Sequence, residues 1–544
     1  MTSPRRRDIW ETATAVTLAM FALLIVVTFR DYGVTVDEKH SNAGGRHFID
    51  WYASGFRDRA IIDDGNHRLY GSFFNAISAS VADHSPLGLY ETGHLVIAVA
   101  SFVGVLFAYR LGKRLGGPLA GFFSALLLLL TPVYYGHSFL NPKDIPFAAL
   151  FMISLYYLIA AYDRLPRLGA KWTAILGAAI GLTLGIRVGG VILFGYLVLL
   201  IGFWLVARYR NDSANLRRAI RADLIAAAVS CFGVGLVAWV VMLLWWPYGQ
   251  VSPILNPLRA LKRNANFTDF DAPTLYKGQY LPSDSLPWDY LPTWFSITLP
   301  EFYGFILSVG ISTLLVRKLF KRGTSEKLDP HLQSKLLFLI FATCFPVATA
   351  MAMQPILYDG NRHFLFVVPP LAVLTGVTLA WLLAKGLPRT LRFVTASVVL
   401  VVGALTAVDM VRLHPYEYAF FNRSFGGLRS ALGRYETDYW GASHKEGIDW
   451  LISHYKPNAP KGSIRVANTA ADFQTSYYLD SRSPATQRFT PVAKKDHPDV
   501  MLSITRYNVH LRHPGKVLHV VERVGTPLLY VIEINPGAGS AIGR

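Results

Sequence analysis

Long apolar runs that recur along the chain constrain its fold more than any other feature. They lie near residues 9–29, 89–109, 118–135, 145–162, 172–187, 190–207, 223–245, 299–316, 335–353, 363–384 and 391–410. Most approach the ~20 residues that a helix needs to cross roughly 30 Å of hydrocarbon. Charged residues make up only 16% of the chain, against roughly 25% in soluble domains. The sequence therefore predicts a polytopic α-helical membrane protein with about eleven transmembrane helices.

Basic residues are concentrated in short loops between these runs. They lie near residues 5–7, 110–114, 164–171, 208–221, 317–327 and 385–392. Because these segments all fall on one side of the predicted membrane, they mark that side as cytoplasmic. We therefore expect a bacterial inner-membrane protein with a cytoplasmic N-terminus and an uncleaved first span. Orientation also explains the net charge of +18, so no nucleic-acid partner is needed.

The last quarter of the chain has a different character. After residue 411 apolar runs are short and turn residues are frequent, which indicates an extracytoplasmic domain. We expect a transmembrane domain at residues 1–410 and an α/β domain at residues 411–544. Within the second, a helix is predicted near residues 447–452 and strands near residues 463–467, 500–504, 517–521 and 528–534.

Polar side chains cluster in four extracytoplasmic loops, each next to the end of an apolar run. They include Asp37, Glu38, Lys39 and His40 in the first loop, His137, Asn141, Lys143 and Asp144 in the second, Arg187 between two spans, and Tyr358, Asp359, Arg362 and His363 in the last. Since all four lie on one side, we expect them to meet on a single outer surface. The long loops at residues 30–88 and 246–298 face the same side.

This set of residues suits glycosyl transfer from a polyprenyl-phosphate sugar. An acceptor hydroxyl needs a base, which a carboxylate supplies. The leaving phosphomonoester, with a second pKa of about 6, departs as an anion and needs only cations to stabilise its charge. Lys143, Arg187 and Arg362 are the candidate phosphate ligands, and His137 and His363 lie beside them in sequence. One displacement by one base predicts inversion at the anomeric carbon.

The motifs at these loops resemble a known family. Val36-Asp37-Glu38, the stretch from His137 to Phe147, Arg187-Val-Gly-Gly and the stretch from Tyr358 to Phe364 are similar to the bacterial dolichyl-phosphate-mannose protein mannosyltransferase-like family. The resemblance covers roughly residues 9–410, and bacterial members also resemble the stretch from His414 to Gly441. It implies the type C glycosyltransferase fold and a polyprenyl-phosphate sugar donor, with a protein, lipid or polysaccharide acceptor. It also implies that Asp37 is the catalytic base, with Glu38 beside it, and that Asp144 is the second-loop acid.

Simpler explanations compete with each of these roles. Asp144 can cap the helix that follows it, and Arg187 or Arg362 can contact lipid headgroups. Adjacent residues of a helix do not share a face, so Glu38 is expected to orient or balance charge rather than form a dyad with Asp37. No His-x-x-x-His pattern occurs, so no cofactor is predicted, although type C oligosaccharide transferases use a divalent metal.

Three other functions remain open at this point. The same cluster fits an aminoarabinose transferase that acts on lipid A, or a transferase that decorates a cell-wall polysaccharide. A membrane transporter would instead place charged residues deep within its spans, whereas most charges here lie at span ends. A non-catalytic scaffold that presents residues 411–544 would not depend on Asp37.

Overall fold

The computed structural model describes residues 9–65, 67–209, 216–265, 270–319, 329–456, 462–480 and 486–534. The basic residues 5–7, together with Arg210, Lys321, Arg322 and Lys327 of the predicted basic loops, lie outside these ranges. The helices in chain order are α1 (Ile9–Thr28), α2 (Glu38–Ala53), α3 (Ala60–Asp63), α4 (Phe73–Asp83), α5 (Leu89–Leu129), α6 (Pro132–Leu140), α7 (Asp144–Tyr162), α8 (Ala170–Leu184), α9 (Ile192–Tyr209), α10 (Leu216–Leu244), α11 (Pro247–Val251), α12 (Leu255–Ala265), α13 (Tyr290–Thr298), α14 (Glu301–Leu319), α15 (Pro330–Met353), α16 (Val368–Trp381), α17 (Arg389–Leu413), α18 (Gly427–Ala431), α19 (His444–His454) and α20 (Asp472–Asp480). The strands are β1 (Thr274–Tyr276), β2 (Gln279–Leu281), β3 (Ile464–Asn468), β4 (Phe489–Pro491), β5 (Val500–Ile504), β6 (Gly515–Arg523) and β7 (Thr526–Ile534).

Within the described residues, nine helices are long and apolar enough to span a membrane. They are α1, α5, α7, α9, α10, α14, α15, α16 and α17, with α16 extended by short helical turns to Arg362–Ala384. A helix satisfies its own backbone hydrogen bonds, which is what a hydrocarbon environment demands. The chain is a multi-pass membrane protein, as predicted.

The predicted count of about eleven spans differs from nine for two local reasons. Helix α5 has 41 residues and is broken at Gly117, which has a φ of 83° and lies directly before Pro118. It therefore covers two of the predicted spans, at residues 89–109 and 118–135. Proline lacks the backbone donor that would continue the helix, and its ring restricts the residue before it. Helix α8 has only 15 residues and is too short to count as a full span.

Small residues allow the short helix α8 to pack closely on α10. A Cβ atom on Gly181 would lie 2.5 Å from the carbonyl oxygen of Ala238, so the two backbones approach more closely than any side chain would permit. Such small-residue contacts are the usual means of helix association in lipid. This contact fixes α8 near its last residue, Leu184, which lies three positions before Arg187.

The C-terminal region contains a five-stranded mixed sheet in the order β4-β3-β5-β7-β6. Strand β3 is parallel to β4 and β5, whereas β7 is antiparallel to β5 and β6. All residues of the central strand β5 are buried, as its continuous apolar character predicts. The predicted strands at β3, β5, β6 and β7 are present. Strand β4 and helix α20 were not predicted.

The C-terminal region also packs onto the loop that follows α1. The amide of Gln474 in α20 donates to the carbonyl of Val34 at 2.7 Å, and the hydroxyl of Tyr478 accepts from the Val34 backbone N–H at 2.7 Å. The backbone N–H of Val36 donates to the carbonyl of Trp440 at 3.3 Å. The segment that leads into Asp37 is therefore held by residues more than 400 positions away.

Candidate active site

Side chains from all four predicted loops meet in one cluster around Arg187 and Arg362. An oxygen of Asp144 lies 2.5 Å from Nη2 of Arg187, and its other oxygen lies 3.4 Å from Nη1 of Arg362. The same Nη1 lies 3.7 Å from Asp37. Residues that are distant in sequence thus form one ionic cluster at the starts of α2 and α7, the turn after α8 and the turn before α16.

Asp37 is the accessible carboxylate of this cluster. It precedes α2, yet its side chain makes no capping hydrogen bond to that helix. Its side chain is 32% exposed, whereas those of Asp144 and Asp359 are each 4% exposed. Its ion pair with Arg362 is also longer than those of Asp144 and Asp359. Of the three acids, Asp37 is therefore the one that a second molecule can reach.

Glu38 points into the protein. One of its oxygens accepts from the backbone and hydroxyl of Thr35 at 2.7 and 2.9 Å, and the other lies 3.0 Å from Nε2 of His94. Both partners are buried. Glu38 thus stabilises the turn that precedes α2 and lies apart from the cluster around Arg362.

Asn141, rather than Asp144, caps helix α7. Its side-chain oxygen accepts from the backbone N–H groups of Lys143 and Asp144 at 3.2 and 2.8 Å, which satisfies donors at the start of the helix. Its amide also donates to Asp144 at 2.8 Å. Because the cap is supplied by Asn141, both oxygens of Asp144 are available to hold arginines.

Arg187 and Lys143 approach the same aromatic ring. The guanidinium carbon of Arg187 and the ammonium of Lys143 lie 5.9 and 5.3 Å from the centre of the Tyr70 ring. A Cβ on Gly71 would lie 2.1 Å from the carbonyl oxygen of Gly185, so only glycine lets the first loop come this close to the turn that carries Arg187. Nε of Arg187 is buried without a hydrogen-bond partner among the described residues.

Arg362 is enclosed by acids and aromatic rings. Its Nε donates to Asp359 at 3.0 Å, and its guanidinium carbon lies 5.0 and 5.1 Å from the centres of the Tyr358 and Trp440 rings. Asp359 has a φ of 56°, in the left-handed region that is uncommon for residues other than glycine. This turn aims the carboxylate back at Arg362.

The two predicted histidines lie near the cluster but differ from the arginines in their contacts. His137 is fully buried, and its ring nitrogens lie 2.9 Å from the hydroxyl of Tyr439 and 3.3 Å from the amide of Asn141. Burial lowers the pKa of His137 to about 3, so it is neutral at pH 7 and supports Asn141 rather than carrying charge. His363 packs edge-on against Tyr358, with ring centres 4.7 Å apart.

The C-terminal region contributes residues that the sequence did not single out. Nη2 of Arg506, just after β5, lies 2.7 Å from Asp359, and its Nη1 donates to the carbonyl of Tyr439 at 2.9 Å. Nε of Arg506 lies 3.4 Å from Glu436. Burial is the main cause that raises the pKa of Glu436 to about 7. The only sequence signal was the resemblance around Tyr439; nothing marked Arg506 among the many other arginines.

A polar cavity opens beside this cluster. Its empty volume is about 340 Å³, and Lys143 and Tyr70 line it together with His40, Ser41 and Asn75. A second cavity of about 310 Å³ shares Ser41 and Asn75 and has more apolar walls. Hydroxyl, amide and imidazole groups along the first cavity provide the hydrogen-bonding surface that a sugar requires.

The carboxylates of the cluster do not form a metal site. Across the described part of the chain, no three His, Cys, Asp or Glu side chains are grouped so that they could hold a metal ion. Asp144 is held by Arg187 and Arg362, and Asp359 by Arg362 and Arg506. Guanidinium groups thus occupy the space beside these carboxylates that a metal ion would need. This set of side chains does not fit a divalent metal.

Residues 67–246 match the family model of dolichyl-phosphate-mannose-protein mannosyltransferases. The matched segment includes Lys143, Asp144 and Arg187. The protein is a membrane glycosyltransferase. The resemblance predicted from the sequence is confirmed over residues 67–246, as are the multi-pass helical architecture with a C-terminal sheet and the class of enzyme.

Two solved structures resemble the glycosyltransferase along most of its length. One is ArnT from Cupriavidus metallidurans bound to undecaprenyl phosphate, with 15% identity, a TM-score of 0.49, and coverage of 97% of this chain and 99% of that one. The other is the oligosaccharyltransferase AglB from Archaeoglobus fulgidus in complex with an inhibitory peptide and a dolichol-phosphate, with 13% identity, a TM-score of 0.46, and coverage of 91% and 69%. No curated protein sequence matches the chain significantly.

Proposed function

We propose that the protein transfers a sugar from a polyprenyl-phosphate donor to an acceptor hydroxyl, with Asp37 as the general base. The observation that carries this proposal is the placement of one accessible carboxylate, Asp37, beside an ionic cluster that contains the half-buried Arg187 and the buried Arg362. The base removes the hydroxyl proton as the oxygen attacks the anomeric carbon. Because one displacement completes the reaction, the sugar inverts its configuration.

The cationic cluster supplies the stabilisation that the leaving phosphate needs. Lys143 lines the polar cavity, and Arg187 approaches the ring of Tyr70, which also lines it. Lys143, Arg187 and Arg362 are the proposed phosphate ligands. Asp144 holds Arg187 and Arg362 in fixed positions, so that little reorganisation is required as charge develops. Asp144 is thus proposed as a positioning residue rather than a second base.

The polar cavity beside Lys143 is the proposed sugar subsite. Its walls include His40, Ser41 and Asn75, which offer donors and acceptors to sugar hydroxyls. The adjoining cavity includes Leu89 and Ile97 and has a more apolar surface. We propose that the acceptor or the first carbons of the lipid tail lie along this second cavity.

The proposed setting is a bacterial inner membrane with the N-terminus in the cytoplasm. The short basic loops support this orientation, which places Asp37 and the C-terminal region outside. We propose a division near residue 410 between a transmembrane domain and an extracytoplasmic domain that helps to select the acceptor. Exposed apolar side chains on α1 and α17 fit contact with lipid.

The test is transfer by purified full-length protein in detergent, with a panel of polyprenyl-phosphate sugars. The variant D37N keeps the shape of the side chain and removes its basicity, so we expect turnover to fall about 10²- to 10⁴-fold. D83N is the matched control, since Asp83 pairs with Arg46 near the protein surface. Normal turnover by D37N would refute the base assignment, and no transfer from any donor would refute the proposed function.

A further inference from the structure

Arg506 is an arginine of the C-terminal sheet region that forms an ion pair with an acid of the Arg362 cluster. Its side chain is 12% exposed, and it pairs with Asp359 at 2.7 Å through Nη2. The other oxygen of Asp359 pairs with Nε of Arg362 at 3.0 Å. Asp359 therefore bridges two arginines. Arg362 is a proposed phosphate ligand, and Arg506 belongs to the C-terminal region.

The charge on Asp359 creates a problem that Arg506 solves. A buried carboxylate next to Arg362 competes with any incoming phosphate for that guanidinium and repels the phosphate itself. A second guanidinium on the far side of the carboxylate offsets its charge. The side chain of Asp359 is 4% exposed, so solvent screens this charge weakly.

A second route connects Arg506 to the other arginine-holding acid. Nη1 of Arg506 donates to the backbone carbonyl of Tyr439 at 2.9 Å, and the hydroxyl of Tyr439 lies 2.9 Å from His137. His137 contacts the amide of Asn141, which donates to Asp144. Arg506 therefore lies at the junction of two hydrogen-bonded chains, which end at Arg362 and at Asp144.

We propose that Arg506 is a positioning residue that neutralises Asp359 and so leaves Arg362 able to bind the donor phosphate. This inference rests on the proposed function, because it assigns Arg362 a phosphate ligand. It also makes the phosphate site depend on a residue from the C-terminal region. Arg506 does not touch the substrate itself; it acts through Asp359.

The experiment measures binding of undecaprenyl phosphate, as a probe, to purified full-length protein, alongside sugar transfer. R506A should weaken binding about tenfold, because Asp359 is then free to neutralise Arg362, while R506K should restore part of the affinity. Adding D359N to R506A removes the competing charge and should return binding to near the wild-type value. R523A is the matched control, since Arg523 pairs with Glu446 and does not contact the cluster.

Charge rescue separates positioning from a general effect on folding. Because D359N also relieves the destabilisation caused by a buried carboxylate that has lost a partner, binding is compared only among variants whose melting temperatures show that they are folded. Equal binding by R506A and R523A, or failure of D359N to rescue a folded R506A protein, would overturn the inference. A wild-type protein that binds undecaprenyl phosphate but transfers no sugar would refute the proposed function alone, and absence of binding would refute both.

Discussion

Asp37 and Glu38 are neighbours in the chain but place their charges in different environments. Asp37 remains accessible beside Arg362, whereas Glu38 is buried against Thr35 and His94. The difference follows from helix geometry, because successive side chains at the start of α2 point about 100° apart. The two acids should therefore fail in different ways when each is replaced.

The first prediction concerns Glu38. E38Q should lower the melting temperature, because the buried His94 loses its charged partner; losses of about 1–3 kcal/mol are typical when such a contact is broken. Turnover should fall less than in D37N. Thermal unfolding in detergent measures the first effect and sugar transfer the second. A melting temperature unchanged from wild type would show that the buried pair contributes nothing to stability.

The second prediction concerns Arg187. R187A should weaken donor binding by about tenfold or more, since a charge-assisted contact to phosphate is lost, and R187K should retain part of the affinity. Titration with undecaprenyl phosphate measures the change. R46A is a suitable comparison, because Arg46 is an exposed arginine paired with Asp83. Binding by R187A equal to that by R46A would remove Arg187 from the phosphate site.

The sequence identified most individual charges of the cluster but not their partners. Asp37, Asp144, Arg187 and Arg362 could be chosen because a charge at the end of an apolar run needs an explanation. Arg506 could not, because it lies in a polar region where arginines are common. Its importance arises only when β5 directs it to Asp359, a tertiary contact that no local pattern encodes.

At the level of elements, Lys143 and Arg187 are positioned by the contact between the loop that carries Tyr70 and the turn after α8. Tyr70 reaches Lys143 and Arg187 only because Gly71 lies directly against the backbone of Gly185. Gly71 and Gly185 both lie outside regular helices, and their close contact sets the distance between the two segments. This backbone contact complements the ion pairs in positioning the side chains of the cluster.

The third prediction tests this contact. G71A introduces a Cβ that would lie 2.1 Å from the Gly185 carbonyl oxygen, so the loop must move and Tyr70 with it. We expect turnover to fall by at least an order of magnitude, in line with the sensitivity of catalysis to ~1 Å displacements. G189A, in the same turn as Arg187, is the control, because its Cβ would meet no atom within 4 Å. Equal turnover by the two variants would contradict the argument.

Element boundaries followed from the sequence wherever one periodicity dominated. The apolar runs and the strands β3, β5, β6 and β7 were predicted, because continuous or alternating apolar patterns identify them. Strand β4 has three residues and an exposed centre, and α20 mixes polar and aromatic residues, so neither carries a clear pattern. Helix α8 was predicted to be a full span because its apolar run continues beyond Leu184, where the helix ends.

On the scale of the whole molecule, stability should depend on pH through the link between the C-terminal region and the cluster. Glu436 is buried beside Arg506, which also pairs with Asp359, and burial is the main cause that raises the pKa of Glu436 to about 7. The folded protein therefore binds this proton more tightly than the unfolded chain does. The stabilisation is complete below the unfolded pKa of about 4.3 and is lost as the pH rises through about 7.

The fourth prediction follows directly. Wild-type protein should lose stability between pH 5 and pH 8 by an amount that E436Q lacks, with an upper limit of about 3 kcal/mol for this shift. Melting curves of both proteins across that range, in one detergent, measure the difference. Parallel pH profiles for wild type and E436Q would show that Glu436 does not titrate in this range.

The dependence of the cluster on Arg506 has a consequence for biosynthesis. The chain is made from its N-terminus, so the spans that carry Asp37, Asp144 and Arg362 enter the bilayer before β5 and Arg506 have been translated. Gln474 and Tyr478, which fix the segment before Asp37, also emerge late. On the proposed role of Arg506, a nascent chain still attached to the ribosome would lack a competent phosphate site, and the proposed lipid-linked donor would not be consumed until the C-terminal sheet has been synthesised and has folded.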